Sequence, residues 1–250
     1  MITLFNQAFK QALNAIDQAH AEMRLSHQSP DSSTICSLLQ LAVTHGAPIY
    51  NRNGRKACAG IYLHMAKGLV DLLPQDENVR CCDSHAILRQ FAYQQLRPLI
   101  VDNPTVPASE LAANNLAWDL RHSIDRIITV AVVLAAAIKD IDIALESARN
   151  SSRELDITKI KQVLEIAIHY GAPIYNIGAC KGCGYIYLRT AHGILGLLSK
   201  NRHSGIPDLV QASLSPLCAA NPAVPAAENA ADKLAWELRH VFDHILDMNT

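Results

Sequence analysis

Three groups of residues combine side-chain types and spacings that could do chemistry. The first is Cys180-Lys181-Gly182-Cys183, two thiols three residues apart. At a helix start such a pair can work as a redox couple, because the helix N-terminus favours the thiolate. It can also supply half of a zinc site, so Cys180 and Cys183 are the residues a metal would use. No second motif of this kind completes four ligands, and the alternating strand–helix pattern that hosts thiol redox chemistry is missing. The plainer reading is that Cys183, like Cys58, is a small core residue, since free cysteine packs as a small hydrophobe.

The second group is Trp118, Arg121, His122 and Asp125, with Trp236, Arg239, His240 and Asp243 in the same arrangement further on. Residues three or four apart share one helical face. His122 with Asp125, and His240 with Asp243 or His244, would offer metal ligands if the two sets converged. The glutamates and Glu-x-x-His motifs of carboxylate-bridged bundles are absent. The competing reading is one Arg121–Asp125 and one Arg239–Asp243 ion pair along each helix, with the tryptophans anchoring the core. The third group is Tyr50-Asn51 and Tyr175-Asn176, each directly after a Gly-Ala-Pro-Ile run. An asparagine there can bond to backbone left free by the proline and hold a corner. With Tyr62 or Tyr187 nearby, each corner would line a cleft able to take a peptide or small ligand.

The elements that must position these residues read as helices throughout. Apolar residues recur at helical spacing in Phe5, Phe9, Leu13, Ile16 and Ala19, giving a first helix over about Thr3 to Met23. Ser26 to Ser33 is a turn, with Ser32 or Ser33 capping the second helix. That helix either stops at Gly46 or is kinked by Pro48. A third helix covers about Arg55 to Leu73, with Cys58, Ile61, Tyr62, Met65, Leu69 and Leu72 inward. A polar loop with Cys81 and Cys82 follows, then a fourth helix over about Ser84 to Val101. A fifth begins near Ala108. No breaker occurs from there to about Asn150, so it either runs on as one helix of ~40 residues, ~60 Å long, or kinks near Ser123 to Thr129.

The sequence then repeats itself. From Ala12 to about Val70 the halves align without a gap at a shift of 125, and from Asn103 onward at 118, the loop after the third helix being shorter. His45-Gly46-Ala47-Pro48-Ile49-Tyr50-Asn51 meets Tyr170-Gly171-Ala172-Pro173-Ile174-Tyr175-Asn176, and Leu116-Ala117-Trp118 meets Leu234-Ala235-Trp236. No alternating apolar–polar run marks a strand. The fold expected is all-α, a tandem duplication of a roughly 120-residue antiparallel helical bundle, pseudo-twofold related. Its domains would be residues 1–126 and 127–250, possible to join by a continuous helix over 108–150.

Residues 38–73 and 163–198 resemble a tetratricopeptide hairpin. Gly46, Cys58 and Tyr62, and Gly171, Cys183 and Tyr187, sit at its glycine, small and aromatic positions. The resemblance implies a helical hairpin and a tendency to bind proteins. Pro48 and Pro173 depart from the pattern, and no adjacent hairpin extends it into an array.

Half of the 250 residues are hydrophobic, 18% are charged, and the formal net charge is -1. Phosphate-driven nucleic-acid binding needs a basic face that this balance does not provide. The most apolar run, Ile127 to Ile138, is shorter than the ~20 residues that cross a bilayer and reads as a buried helix. Seven cysteines without the features of a signal peptide at Met1 to Lys10 indicate thiols and a cytoplasmic setting. No dinucleotide fingerprint, phosphate loop or His-Glu-x-x-His motif is present. The function expected is therefore a helical interaction, adaptor or regulatory binding protein with two equivalent faces. Its partner would be a protein or peptide, with no cofactor and no membrane insertion, and it could self-associate. The alternative is a small-molecule- or metal-binding bundle using the histidines and cysteines. The balance leans against an enzyme.

Overall fold

The computed structural model describes residues 2–26, 29–73, 83–150, 157–198 and 206–248. Cys81, Cys82 and the Phe5 side chain lie outside what is described. The described residues form nine helices: α1 (Ile2–Leu25), α2 (Ser32–Tyr50), α3 (Arg55–Val70), α4 (Ser84–Asp102), α5 (Glu110–Arg149), α6 (Ile157–Asn176), α7 (Cys180–Leu198), α8 (Ile206–Ala220) and α9 (Glu228–Asp247). The all-α class follows directly from the period of the apolar residues. No helix among the described residues is long and apolar enough to cross a membrane.

The chain divides into two compact units, Met1–Asp76 with Leu88–Ala131, and Glu77–Ile87 with Val132–Thr250. In the first, α1, α2 and α3 pack on one another. Its core holds Ile16, Ile35, Leu39, Ile61, Met65, Leu69, Leu120 and Ile124, all without solvent exposure. On α1 the buried residues are Ala12, Ile16 and His20, four apart. The inward face is thus turned from the one the sequence suggests, with Phe9, Leu13 and Ala19 only half-buried. Asp31, rather than Ser32 or Ser33, caps α2: its carboxylate accepts from Thr34 N–H at 2.8 Å, and Ser33 Oγ steadies it at 2.9 Å.

In the second unit α7 packs on α6, α8 and α9. Ile160, Val163, Leu164, Ile194, Leu214, Leu238, Phe242 and Ile245 form its core. The 40-residue α5 is continuous and contributes residues to both units. It carries buried residues at three- and four-residue steps along its length, from Ala113 and Leu116 to Leu145 and Ala148. Val132, inside the apolar run, is 60% exposed, so that run buries one face only.

Candidate clefts at the helix corners

Helix α2 does not stop at Gly46; it continues through Pro48 to Tyr50, and α6 continues through Pro173 to Asn176. Backbone bonds close the corner that follows: Asn51 N–H donates to Ala47 O at 3.0 Å and Gly54 N–H to Ile49 O at 3.0 Å. In the second unit Ala179 N–H donates to Ile174 O at 2.9 Å. The residue that takes the left-handed conformation is Asn53 (φ 64°) in one corner and Gly178 (φ 86°) in the other. Asn and Gly are the residues for which that conformation is least costly. The corner therefore rests on position 53 or 178, while Asn51 and Asn176 stand exposed on the rim of the clefts described next.

Each corner brings the tip of its hairpin beside a later helix. The Tyr62 ring lies on Gly46, where a Cβ would come within 2.8 Å of its Cζ; Tyr187 lies on Gly171 in the same way, also 2.8 Å. Glycine is required by this approach. The space left above these rings is a cleft of 290 Å³ in the first unit, lined by Tyr50, Cys58, Tyr62, Trp118, Arg121 and Asp125 among others. In the second unit it is a cleft of 110 Å³ lined by Tyr175, Cys183, Tyr187, Trp236 and Arg239 among others.

The walls are bonded alike. Trp118 Nε1–H donates to the Tyr50 hydroxyl at 2.9 Å, and that hydroxyl donates to Asn114 Oδ1 at 2.7 Å. Trp236 Nε1–H donates to the Tyr175 hydroxyl at 2.8 Å, which donates to Asp232 Oδ1 at 2.7 Å. Both tyrosine–tryptophan pairs meet edge to face, at 5.7 and 5.6 Å between centroids. His122 and His240 lean on the other side of each indole, at 5.6 and 5.8 Å.

The floors share one hydrogen-bonded chain. Arg121 Nε donates to both oxygens of Asp125, at 2.9 and 2.8 Å, and Arg239 Nε to both of Asp243, at 2.9 and 3.0 Å. The arginine also donates to the phenol oxygen of Tyr62 or Tyr187, which in turn donates to the sulfur of Cys58 or Cys183. Burial pushes the Cys58 thiol up to about 11 and the Cys183 thiol up to about 12. Burial, with the adjacent thiol, pushes Tyr62 up to about 12 and raises Tyr187 as well. Burial, then Glu228 and Asp232, also raise Cys180. All these groups are protonated at neutral pH. The thiolate that redox or metal chemistry at Cys180 and Cys183 requires is disfavoured, in place of the stabilisation a helix start can give. Among the described residues no three His, Cys, Asp or Glu side chains are grouped to hold a metal ion.

The structure thus merges two of the groups marked in the sequence. Tyr50, Asn51, Tyr62, Arg121 and Asp125 line one cleft, and Tyr175, Asn176, Tyr187 and Arg239 the other, with Asp243 holding its arginine. The tryptophans do not anchor the core: Trp118 is 46% and Trp236 48% exposed, as cleft walls. Asn114 and Asp232 escape the sequence reading. The helical phase contains the signal. At 100° per residue, Asn114, Trp118, Arg121 and Asp125 fall about 140–200° from Leu116, on one face opposite the buried stripe.

A third hollow, of 440 Å³, lies in the second unit beside Asp142, Tyr185, Arg189 and His192. Arg189 Nη2 donates to both oxygens of Asp142 at 2.8 Å. The matching positions of the first unit keep the pair in another form, with Asp17 Oδ1 2.6 Å from His64 Nε2. Lys67 Nζ reaches Pro104 O at 2.5 Å, and the Phe9 ring lies 3.4 Å from where Gly60 would carry a Cβ.

No family model matches the chain, and neither the curated proteins nor the solved structures give a match.

Proposed function

We propose that the chain is a non-catalytic binding protein that captures a side chain and its flanking peptide group at each helix corner. We take it to be two copies of one helical unit, related by a pseudo-twofold, each offering a cleft at the tip of a tetratricopeptide-like hairpin. The observation that carries the reading is that the only two tryptophans of the chain stand half-exposed over these clefts. Each is pinned by the same tyrosine bond. A rigid, half-exposed indole is costly to leave in water and is the residue type most enriched in binding hot spots. The floor adds a donor and an acceptor side by side, the guanidinium and its carboxylate partner, which match the C=O and N–H of a peptide. The floor's thiols and phenols stay protonated at neutral pH, so none of them offers a thiolate or phenolate.

The test uses the two indole N–H signals in a proton–nitrogen correlation spectrum, assigned with Trp118→Phe and Trp236→Phe. N-acetyl-leucine-methylamide is the probe. At roughly 0.3 kcal/mol for each of its about 13 heavy atoms, it should bind near 1 mM. A saturable shift of the Trp118 signal, lost in Arg121→Ala, is expected. A signal unmoved at tens of millimolar overturns the reading.

A further inference from the structure

We infer that the two clefts are sorted by charge: the second unit's cleft takes an alkylammonium group, whereas the first unit's cleft takes an uncharged apolar one. The inference rests on the clefts being ligand sites, as proposed above. It comes from the residue that accepts from the wall tyrosine, which differs between two otherwise matching sites.

The bonds that build the walls and floors are the same, and so is the ion pair beside them. Lys56 meets Glu110 at 3.3 Å and Lys181 meets Glu228 at 3.4 Å. Against that constant frame, the acceptor of the wall tyrosine is a neutral amide in the first unit, Asn114, and a carboxylate in the second, Asp232. The first residue of the hairpin's second helix is cationic in the first unit, Arg55, and a thiol in the second, Cys180. The first exchange adds a negative charge beside the wall of the second cleft and the second removes a positive one from its corner, while Lys233, at the place of Asn115, is paired with Glu237.

Other carboxylates near the second cleft are already matched: Glu228 by Lys181 and Asp243 by Arg239. Asp232 holds only the Tyr175 phenol, takes part in none of the ion pairs of the described residues, and is half-exposed. Its carboxylate sits on the Tyr175–Trp236 wall. A cation placed over an indole face within about 6 Å is attracted by the ring, and a neighbouring carboxylate adds to that attraction. The cleft of 110 Å³ suits a group no larger than the end of a lysine side chain, whereas the first has 290 Å³. The ammonium can come from a protein lysine or from a free amine.

The indole signals test this with two probes of one shape, n-butylammonium and 1-butanol, at constant ionic strength. Trp236 is expected to respond to butylammonium about three- to tenfold more tightly than to butanol. Trp118 is expected to show no such preference. Asp232→Asn, which installs the side chain found at the matching position, should erase the preference at Trp236. Asn114→Asp should create one at Trp118. Equal affinities at Trp236, or a preference that survives Asp232→Asn, overturn the charge sorting while butanol binding leaves the clefts standing as sites. If neither probe nor the leucine amide moves either signal, the binding reading itself has failed. An Ala-Lys-Ala amide that binds more tightly than butylammonium assigns the ammonium to a protein lysine. Equal binding assigns it to a free amine.

Discussion

The two corner clefts are built from the same bonds and enclose different spaces. Tyrosine, tryptophan, arginine and buried thiol stand in the same relations in both, with hydrogen-bond lengths that agree to 0.1 Å for the wall. Yet the first cleft has 290 Å³ and the second 110 Å³, and the wall tyrosine donates to an amide in one and to a carboxylate in the other. The difference separates two kinds of residue. Those that hold the helices at the corner, Gly46 with Tyr62 and Gly171 with Tyr187, are the same in both units. Those that flank the clefts without lining them, Asn114 against Asp232 and Arg55 against Cys180, have changed. The frame and the lining residue types are shared, and what differs is the residue that accepts from the wall tyrosine.

The frame can be broken most severely at its glycines. Gly46→Val or Gly171→Val forces side-chain atoms into the ring of Tyr62 or Tyr187, and each should cost about 2–4 kcal/mol. The two losses should be alike, because a Cβ meets the tyrosine Cζ at 2.8 Å in both units. Thermal and urea unfolding of the two variants checks this. A loss below about 0.5 kcal/mol at either position would mean that the tyrosine swings away freely, and that the close approach does not set the cleft floor.

Much of the frame was legible in the sequence, because it rests on periodicity and on residues with one physical use. The helices and the Arg121–Asp125 bond follow from spacing, and the hairpin with Gly46 against Tyr62 from the tetratricopeptide resemblance. The lining was legible only in part. A tryptophan in an apolar stretch reads as core, and the phase that puts Trp118 outside is visible only after the buried stripe of α5 is fixed by Leu116, Leu120 and Ile124. Asn51 reads as the corner's tie, but backbone bonds from Asn51 and Gly54 do that work, and the strained position is Asn53. The pairing of Tyr50 with Asn114, 64 residues away, is a tertiary fact that no local pattern encodes. The same holds for His20, a polar residue buried at the place where periodicity alone predicts an apolar one.

His20 offers a second place to sharpen the comparison. Its ring lies on Gly68, as the Leu145 side chain lies on Gly193 in the second unit. A histidine thus stands where the other unit has a leucine. His20 is 3% exposed and its Nε2 is buried without a hydrogen-bond partner. Burial lowers its pKa from 6.5, with His64 and Arg24 acting in the same direction and Asp17 opposing them. His64 itself is held by Asp17, 2.6 Å from Nε2 to Oδ1. The folded chain therefore binds this proton less readily than the unfolded chain. Stability is full above pH 6.5 and falls as the pH drops below it, toward the lowered value. His20→Leu should remove that part of the pH dependence. It should also gain about 1–2 kcal/mol by eliminating an orphaned polar atom. Unfolding midpoints of parent and variant between pH 7.5 and 5 decide it: curves that stay parallel would show that His20 contributes none of the slope.

The smallest effects on stability should come from the residues that distinguish the clefts. Asn114→Asp and Asp232→Asn each keep an acceptor for the tyrosine hydroxyl, which donates at 2.7 Å to either residue type. Neither buries a new group, since both positions are half-exposed. Each exchange should change stability by less than about 0.5 kcal/mol, measured by urea unfolding. A larger loss in Asp232→Asn would mean that the carboxylate is there to hold Tyr175 and Trp236 in place, and its charge would then be a feature of the fold. If stability is unchanged while the response to an ammonium probe moves from one cleft to the other, fold and selectivity reside in different residues. The matching glycine and tyrosine positions then build the site, and position 114 or 232 chooses what enters it.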